Sequence, residues 1–111
     1  MMALYMYQAA YTADSWAAQL KNPQNRVDAV GTAVCEAVGG KLVGSWYCFG
    51  EYDLVIIADV PDDESMSAIA LAIAAGGALK SSRTTKLMTG AQGIEAMKKA
   101  DAVAKVYRPA R

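Results

Sequence analysis

The chain has 111 residues, 54% of them hydrophobic but only 8% aromatic, and its eleven basic and eleven acidic side chains sum to zero charge. One domain of this size buries roughly two-thirds of its unfolded surface without a metal or disulfide staple. A neutral domain lacks the Lys/Arg excess that phosphate backbones require, so nucleic acid is not an expected partner. The sequence has no histidine, which excludes Ser-His-Asp and Cys-His catalysis and His ligation of haem or zinc.

Ala3 to Tyr11 sets Tyr5, Tyr7, Ala9 and Tyr11 against Leu4, Met6, Gln8 and Ala10. This period of two predicts a first strand. Thr12 or Asp14 can cap a short helix through Leu20, and Asn22-Pro23 is expected to restart it as a second helix. Val27, Val30, Val34, Cys35 and Val38 form one apolar stripe, and Gly39-Gly40 ends the helix.

Lys41 to Phe49 reads as a second strand, with Leu42, Gly44, Trp46 and Cys48 on one face and Val43, Ser45, Tyr47 and Phe49 on the other. Gly50-Glu51 is expected to be a two-residue hairpin turn. Tyr52 to Val60 forms the third strand, whose continuous apolar run from Leu54 to Ala58 suits cover on both faces. Asp62-Asp63-Glu64 then stands at the positive end of a helix dipole, with Met66, Ile69, Ala70 and Ile73 on its buried side and Gly76-Gly77 as its stop. Ala78 to Met88 reads as a polar fourth strand. A last helix spans about Ala91 to Val106, with Ile94, Met97 and Val103 as its expected apolar contacts, and 107–111 is a frayed tail. The order β-α-β-β-α-β plus a terminal helix is ferredoxin-like and of α+β class.

Several further expectations concern setting. Met1-Met2-Ala3-Leu4-Tyr5 has no basic segment of the kind that opens a signal peptide, and no apolar run approaches membrane-spanning length. A cytoplasmic protein without a membrane partner is expected. Cys35 and Cys48 lack CxxC spacing and read as buried core thiols. No GxGxxG or P-loop is present, and neither a cofactor nor a metal is expected.

Phe49-Gly50-Glu51-Tyr52-Asp53-Leu54-Val55, Val60-Pro61-Asp62-Asp63-Glu64, Ala74-Ala75-Gly76-Gly77 and Ser82-Arg83-Thr84-Thr85-Lys86-Leu87 together resemble a GYD-domain protein. The Tyr-rich first strand, Pro23 followed by Arg26, and Gly39-Gly40 add to it. The resemblance covers residues 3–99 within a single domain of residues 1–111. One departure is plain: Glu51 separates Gly50 from Tyr52, where the family name has Gly-Tyr-Asp. The resemblance implies a dimeric α+β barrel in which the sheets of two subunits pack face to face, hence a homodimer or higher homo-oligomer. The family is defined by sequence and fold, so no catalytic residue carries over.

Five residues are candidates for holding a small aromatic or anionic molecule: Arg26, Trp46, Tyr52, Asp53 and Arg83. Tyr52 and Asp53 pair a phenol with a carboxylate near a strand start; equally, Asp53 can bond turn amides and Tyr52 can pack at a sheet end. Arg26 can bind an anion bidentately, pair with an acid such as Asp53, or sit in solvent. Arg83 is expected to share a face with Leu79, Ser81, Thr85 and Leu87. Together with Lys86 it serves an interface, a solvated edge or a ligand. Trp16, Trp46, Tyr5, Tyr7, Tyr11, Tyr47 and Phe49 could line a pocket or fill a core. Asp62-Asp63-Glu64 suits a hard cation or, more simply, the helix dipole. An alternative reading, by analogy of fold, is a cofactor-independent oxygenase or isomerase using Tyr or Asp as acid and base. It requires a closed apolar cavity with a buried, shifted Tyr or Asp.

Overall fold

The computed structural model describes residues 3–110. Met1 and Met2, at the expected non-signal start, and Arg111 of the expected tail lie outside the described residues. The element order is β1 (Ala3–Tyr11), α1 (Ala13–Lys21), α2 (Arg26–Ala37), β2 (Lys41–Tyr47), β3 (Leu54–Val60), α3 (Asp63–Ala75), β4 (Leu79–Leu87) and α4 (Gly90–Ala104). The four strands form one antiparallel sheet in the order β2-β3-β1-β4. This is the ferredoxin-like α+β fold.

The alternation of β1 decides which face is inside. Tyr5, Tyr7, Ala9 and Tyr11 are buried, the first three opposite Ala58, Ile56 and Leu54 of β3. Val27 and Cys35 of α2 and Met66 and Ile69 of α3 complete this core. The other face carries Leu4, Met6 and Gln8 of β1 and Val55 and Ile57 of β3, all half-buried. The expected cover on both faces of β3 is therefore present on one side only within a single chain.

Helix ends follow the chemistry of the caps. The Thr12, Asp62 and Thr89 side chains accept from the amides of Ser15, Ser65 and Gln92. At the end of α2, Gly39 N–H donates to the Glu36 carbonyl (3.0 Å) and Gly40 N–H to the Cys35 carbonyl (2.9 Å). That reciprocal pattern needs a left-handed residue at Gly39, whose φ is +80°. The expected start of this helix is corrected: Asn22 closes α1 by donating to the Gln19 carbonyl (3.1 Å). Asn25 is the actual cap, accepting from Asp28 N–H (3.3 Å). Arg26 is thus the first residue of α2.

Two irregularities correct the expected strand faces. Between Leu42 and Gly44 the register of β2 on β3 shifts, placing Val43 as an extra residue. Beyond it Ser45 and Tyr47 face the helices, whereas Gly44 and Trp46 pair with Ile57 and Val55 on the open side. Gly44 leaves room for the indole: a Cβ there would lie 2.5 Å from Trp46 Cη2. A second shift, between Ala10 and Tyr11, pairs Leu79 with Tyr11 and turns it toward the helices, so it does not share the face of Arg83. The strands of the hairpin also end early. Residues 48–53 form a longer loop instead of the two-residue turn, closed by Cys48 N–H donating to the Asp53 carbonyl (2.9 Å).

The last helix departs most from expectation. α4 has no buried residue, and Ile94, Met97 and Val103 are 50%, 70% and 61% exposed. It holds itself together by the Thr89/Gln92 capping box and by the Glu95–Lys98 and Asp101–Lys105 pairs. The radius of gyration is 17.4 Å over extents of 59 × 36 × 23 Å, against about 13 Å for a compact chain of this length. Among the described residues no helix is long and apolar enough to cross a membrane.

Candidate functional site

A cavity of about 260 Å³ lies between the inner face of the sheet and helices α2 and α3. Strand alternation supplies its floor from Tyr7, Ala9, Leu54 and Ile56. The 3.6-residue period supplies its walls from Val27, Val30 and Val34 of α2 and Ile73 of α3. Leu79, turned inward by its register shift, and Arg26, at the head of α2, complete the lining. The walls are overwhelmingly apolar.

Within them sits one polar anomaly. Tyr7 is almost wholly buried, and among the described residues its hydroxyl is the one buried side-chain polar atom without a hydrogen-bond partner. Burial pushes its pKa up, an effect the nearby Ser82 hydroxyl offsets in part, so the phenol stays protonated at neutral pH. Tyr11, also in the lining, is raised first by burial and then by the neighbouring Tyr47, with Arg26 acting in the opposite sense. Arg26 forms no ion pair among the described residues, and the acid two positions on, Asp28, accepts from Ser45 Oγ (3.3 Å).

The five sequence-derived candidates do not converge. Arg26 alone lines the cavity. Trp46 stands on the open sheet face, as does Arg83, opposite Gln8 at the exposed edge strand. Tyr52 lies in the 48–53 loop, its carbonyl accepting from Cys48 Sγ (3.2 Å). Asp53 is occupied in binding three segments together. Its Oδ2 accepts from Tyr11 N–H (2.8 Å) and from Trp16 Nε1 (3.2 Å), and its own N–H donates to the Ala9 carbonyl (2.8 Å). Trp16 in turn packs edge-on against Tyr11, centroids 5.1 Å apart. The aromatic set is divided: Tyr7 and Tyr11 line the cavity, while Trp16, Tyr47 and Phe49 border a second hollow near Asp53.

Other candidates have structural employment. Asp62 caps α3, accepting from Ser65 N–H (2.9 Å) and Ser65 Oγ (2.6 Å), which holds its carboxyl below the ordinary value. Asp63 accepts from the Tyr5 hydroxyl and pairs with Lys86 (3.0 Å). Cys35 is buried, Cys48 is only half-buried in the loop instead of within a strand, and both thiols are free.

The family model of the GYD domain matches residues 5–102, and the chain belongs to the GYD family. Among solved structures, the crystal structure of MtbAldR superposes with a TM-score of 0.54 at 10% identity, covering 78% of this chain. This chain accounts for 52% of the length of that one, and at such low identity the likeness concerns the fold alone. No curated protein gives a significant match.

Proposed function

We propose that this GYD-family protein is a self-associating binding module that holds a small aromatic or anionic molecule between its sheet and helices α2 and α3. The observation that carries the reading is the apolar cavity with a cation, Arg26, on its lining. Small-molecule sites have this composition, with apolar walls and few placed polar groups. A set of ring-containing fragments, read by thermal shift, tests it. A rise in melting temperature with at least one fragment is expected, and no rise with any would oppose it.

Self-association is supported by the open face of the sheet, where Leu4, Met6, Val55, Ile57, Trp46 and Leu87 leave apolar surface uncovered in a single copy. An antiparallel sheet with helices on one side is stable as it stands only if its other side is polar. The protruding α4, with no buried side chain, adds a second unpartnered apolar surface. A homodimer or larger homo-oligomer covers both. Light scattering at micromolar concentration should give at least twice the 11.7 kDa chain mass; a purely monomeric species would contradict it. Two unpaired thiols suit a reducing compartment such as the cytoplasm.

The oxygenase or isomerase reading gains less. Proton transfer at neutral pH favours a group whose pKa lies near 7, whereas Tyr7 and Tyr11 both move upward, away from it. A raised phenol is better suited to donating a hydrogen bond than to exchanging its proton.

A further inference from the structure

We propose that the ligand is a small amphipathic monocarboxylate, its apolar body inside the cavity and its carboxylate on Arg26, at the boundary with a polar vestibule. The proposal rests on the reading of the cavity as a binding site and adds the ligand's charge and its direction of entry.

Two residues of α2 build that boundary. Arg26 and Val30, one helical turn apart and so on one face, each line both the inner cavity and an outer hollow of about 410 Å³. Inside, Val27, Val34, Leu54, Ile56, Ile73 and Leu79 present only hydrocarbon. Outside, Ser15, Gln19, Asn22, Gln24 and Asn25 carry a hydroxyl and four neutral amides. Apolar walls on one side of a cation and amides on the other select a ligand with two unlike ends.

The charges on these linings set the sign and size of the polar end. Apart from the tyrosines, Arg26 is the one ionisable side chain on either lining. It is exposed and forms no ion pair among the described residues. Its charge also acts on the Tyr11 phenol of the inner lining, opposing the rise that burial causes there. One uncompensated positive charge matches one carboxylate, whose two oxygens fit the planar guanidinium fork. A phosphate dianion would keep a charge unpaired among neutral side chains. The inner volume of about 260 Å³ falls just below the ~300–1,000 Å³ of ordinary ligand pockets. A body of one ring or a short branched chain suits it.

Two probes of one outline isolate the charge: 3-cyclohexylpropanoate and its neutral amide, 3-cyclohexylpropanamide. Affinities are measured by calorimetry for the full chain and for Arg26→Gln and Ala72→Trp. Ala72 lines the inner cavity yet is exposed, so a bulky side chain there narrows the cavity without entering the core. The wild-type protein should prefer the carboxylate by about fivefold, the upper range for an ion pair open to solvent, and added salt should narrow the preference. Arg26→Gln should abolish the preference and leave the affinity for the amide unchanged. Ala72→Trp should weaken both probes alike. A preference that survives in Arg26→Gln, an amide that binds as tightly as the carboxylate, or two affinities untouched by Ala72→Trp overturns the assignment. If uncharged fragments raise the melting temperature while the carboxylate gains nothing over its amide, the ligand class is wrong and the cavity reading stands. If no probe or fragment binds, both fall.

Discussion

Replacing Tyr7 by Phe should make the ligand-free protein more stable, against the usual effect of a core substitution. The ring keeps its place between β1 and the helices, while the change deletes the one buried hydroxyl that bonds to nothing among the described residues. Leaving such a group unsatisfied costs about 1–3 kcal/mol. The nearby Ser82 hydroxyl recovers part of that, so the low end, about 1 kcal/mol, is the expected gain. Unfolding entropy of roughly 2.1 cal/mol/K per residue converts this to a rise of about 4 °C in Tm for a chain of this length. Thermal and urea denaturation at matched protein concentration, after exhaustive dialysis, measure it; equal concentration matters because association shifts Tm. A fall of about 4 °C or more would refute the reasoning, since it would mean that the hydroxyl has a partner whose loss is felt.

Three other predictions concern the fold and the open face of its sheet. Asp53→Ala removes the acceptor of the buried Tyr11 amide and of Trp16. It should cost about 2–3 kcal/mol in urea unfolding, since bonds to a charged acceptor are each worth about 1.5–3 kcal/mol; a loss below 0.5 kcal/mol on the order of measurement error would contradict the clamp. Ile57→Lys, on the open sheet face, should reduce the mass in sedimentation toward a single chain while circular dichroism is unchanged. An unaltered mass would move the interface elsewhere.

The Tyr5–Asp63 bond ties stability to pH at both extremes. Asp63 is held below its ordinary value, first by the Tyr5 hydroxyl donating to it and then by Lys86, so its contribution is whole above about pH 4 and fades as pH falls further. Tyr5 is pushed up to about 12 by the same bond and by burial. Its contribution is whole below about pH 10 and fades as pH climbs from there toward 12. Urea midpoints across pH 3 to 11.5 should therefore decline less at both ends for Asp63→Ala than for wild type; equal declines would show that the bond is not the source.

Much of the fold was legible because local rules and tertiary packing agree. The alternation of Tyr5, Tyr7, Ala9 and Tyr11 marks the core face directly, the acids at 62–64 mark a helix start, and Gly39-Gly40 marks a helix end. The strand faces are obscured where one extra residue is accommodated. Val43 and Lys80 each break the period of two, and an inserted residue leaves no signature in a short run of mixed side chains. Those insertions decide which way Trp46 and Leu79 point, and so take Trp46 away from the cavity and bring Leu79 to it. The α2 start was missed because Asn22-Pro23 and Asn25-Arg26 both fit cap chemistry, and only the three-dimensional path selects Asn25. The apolar side chains of α4 suggest contacts within the chain, but they signal a preference for burial and not where it is met. Tyr7 was visible as a strand residue; that its hydroxyl is stranded depends on packing from α2 and α3, which no spacing in the sequence encodes.

The most direct test of the whole account is a methyl-labelled NMR titration of the full chain with the ring-containing fragment that raises its melting temperature most. Shifts confined to Val27, Val30, Ile56, Ile73 and Leu79, which line the cavity, are the predicted result. Shifts centred on Met6, Ile57 and Leu87 of the opposite sheet face, or saturating ligand with no shift at all, would contradict it.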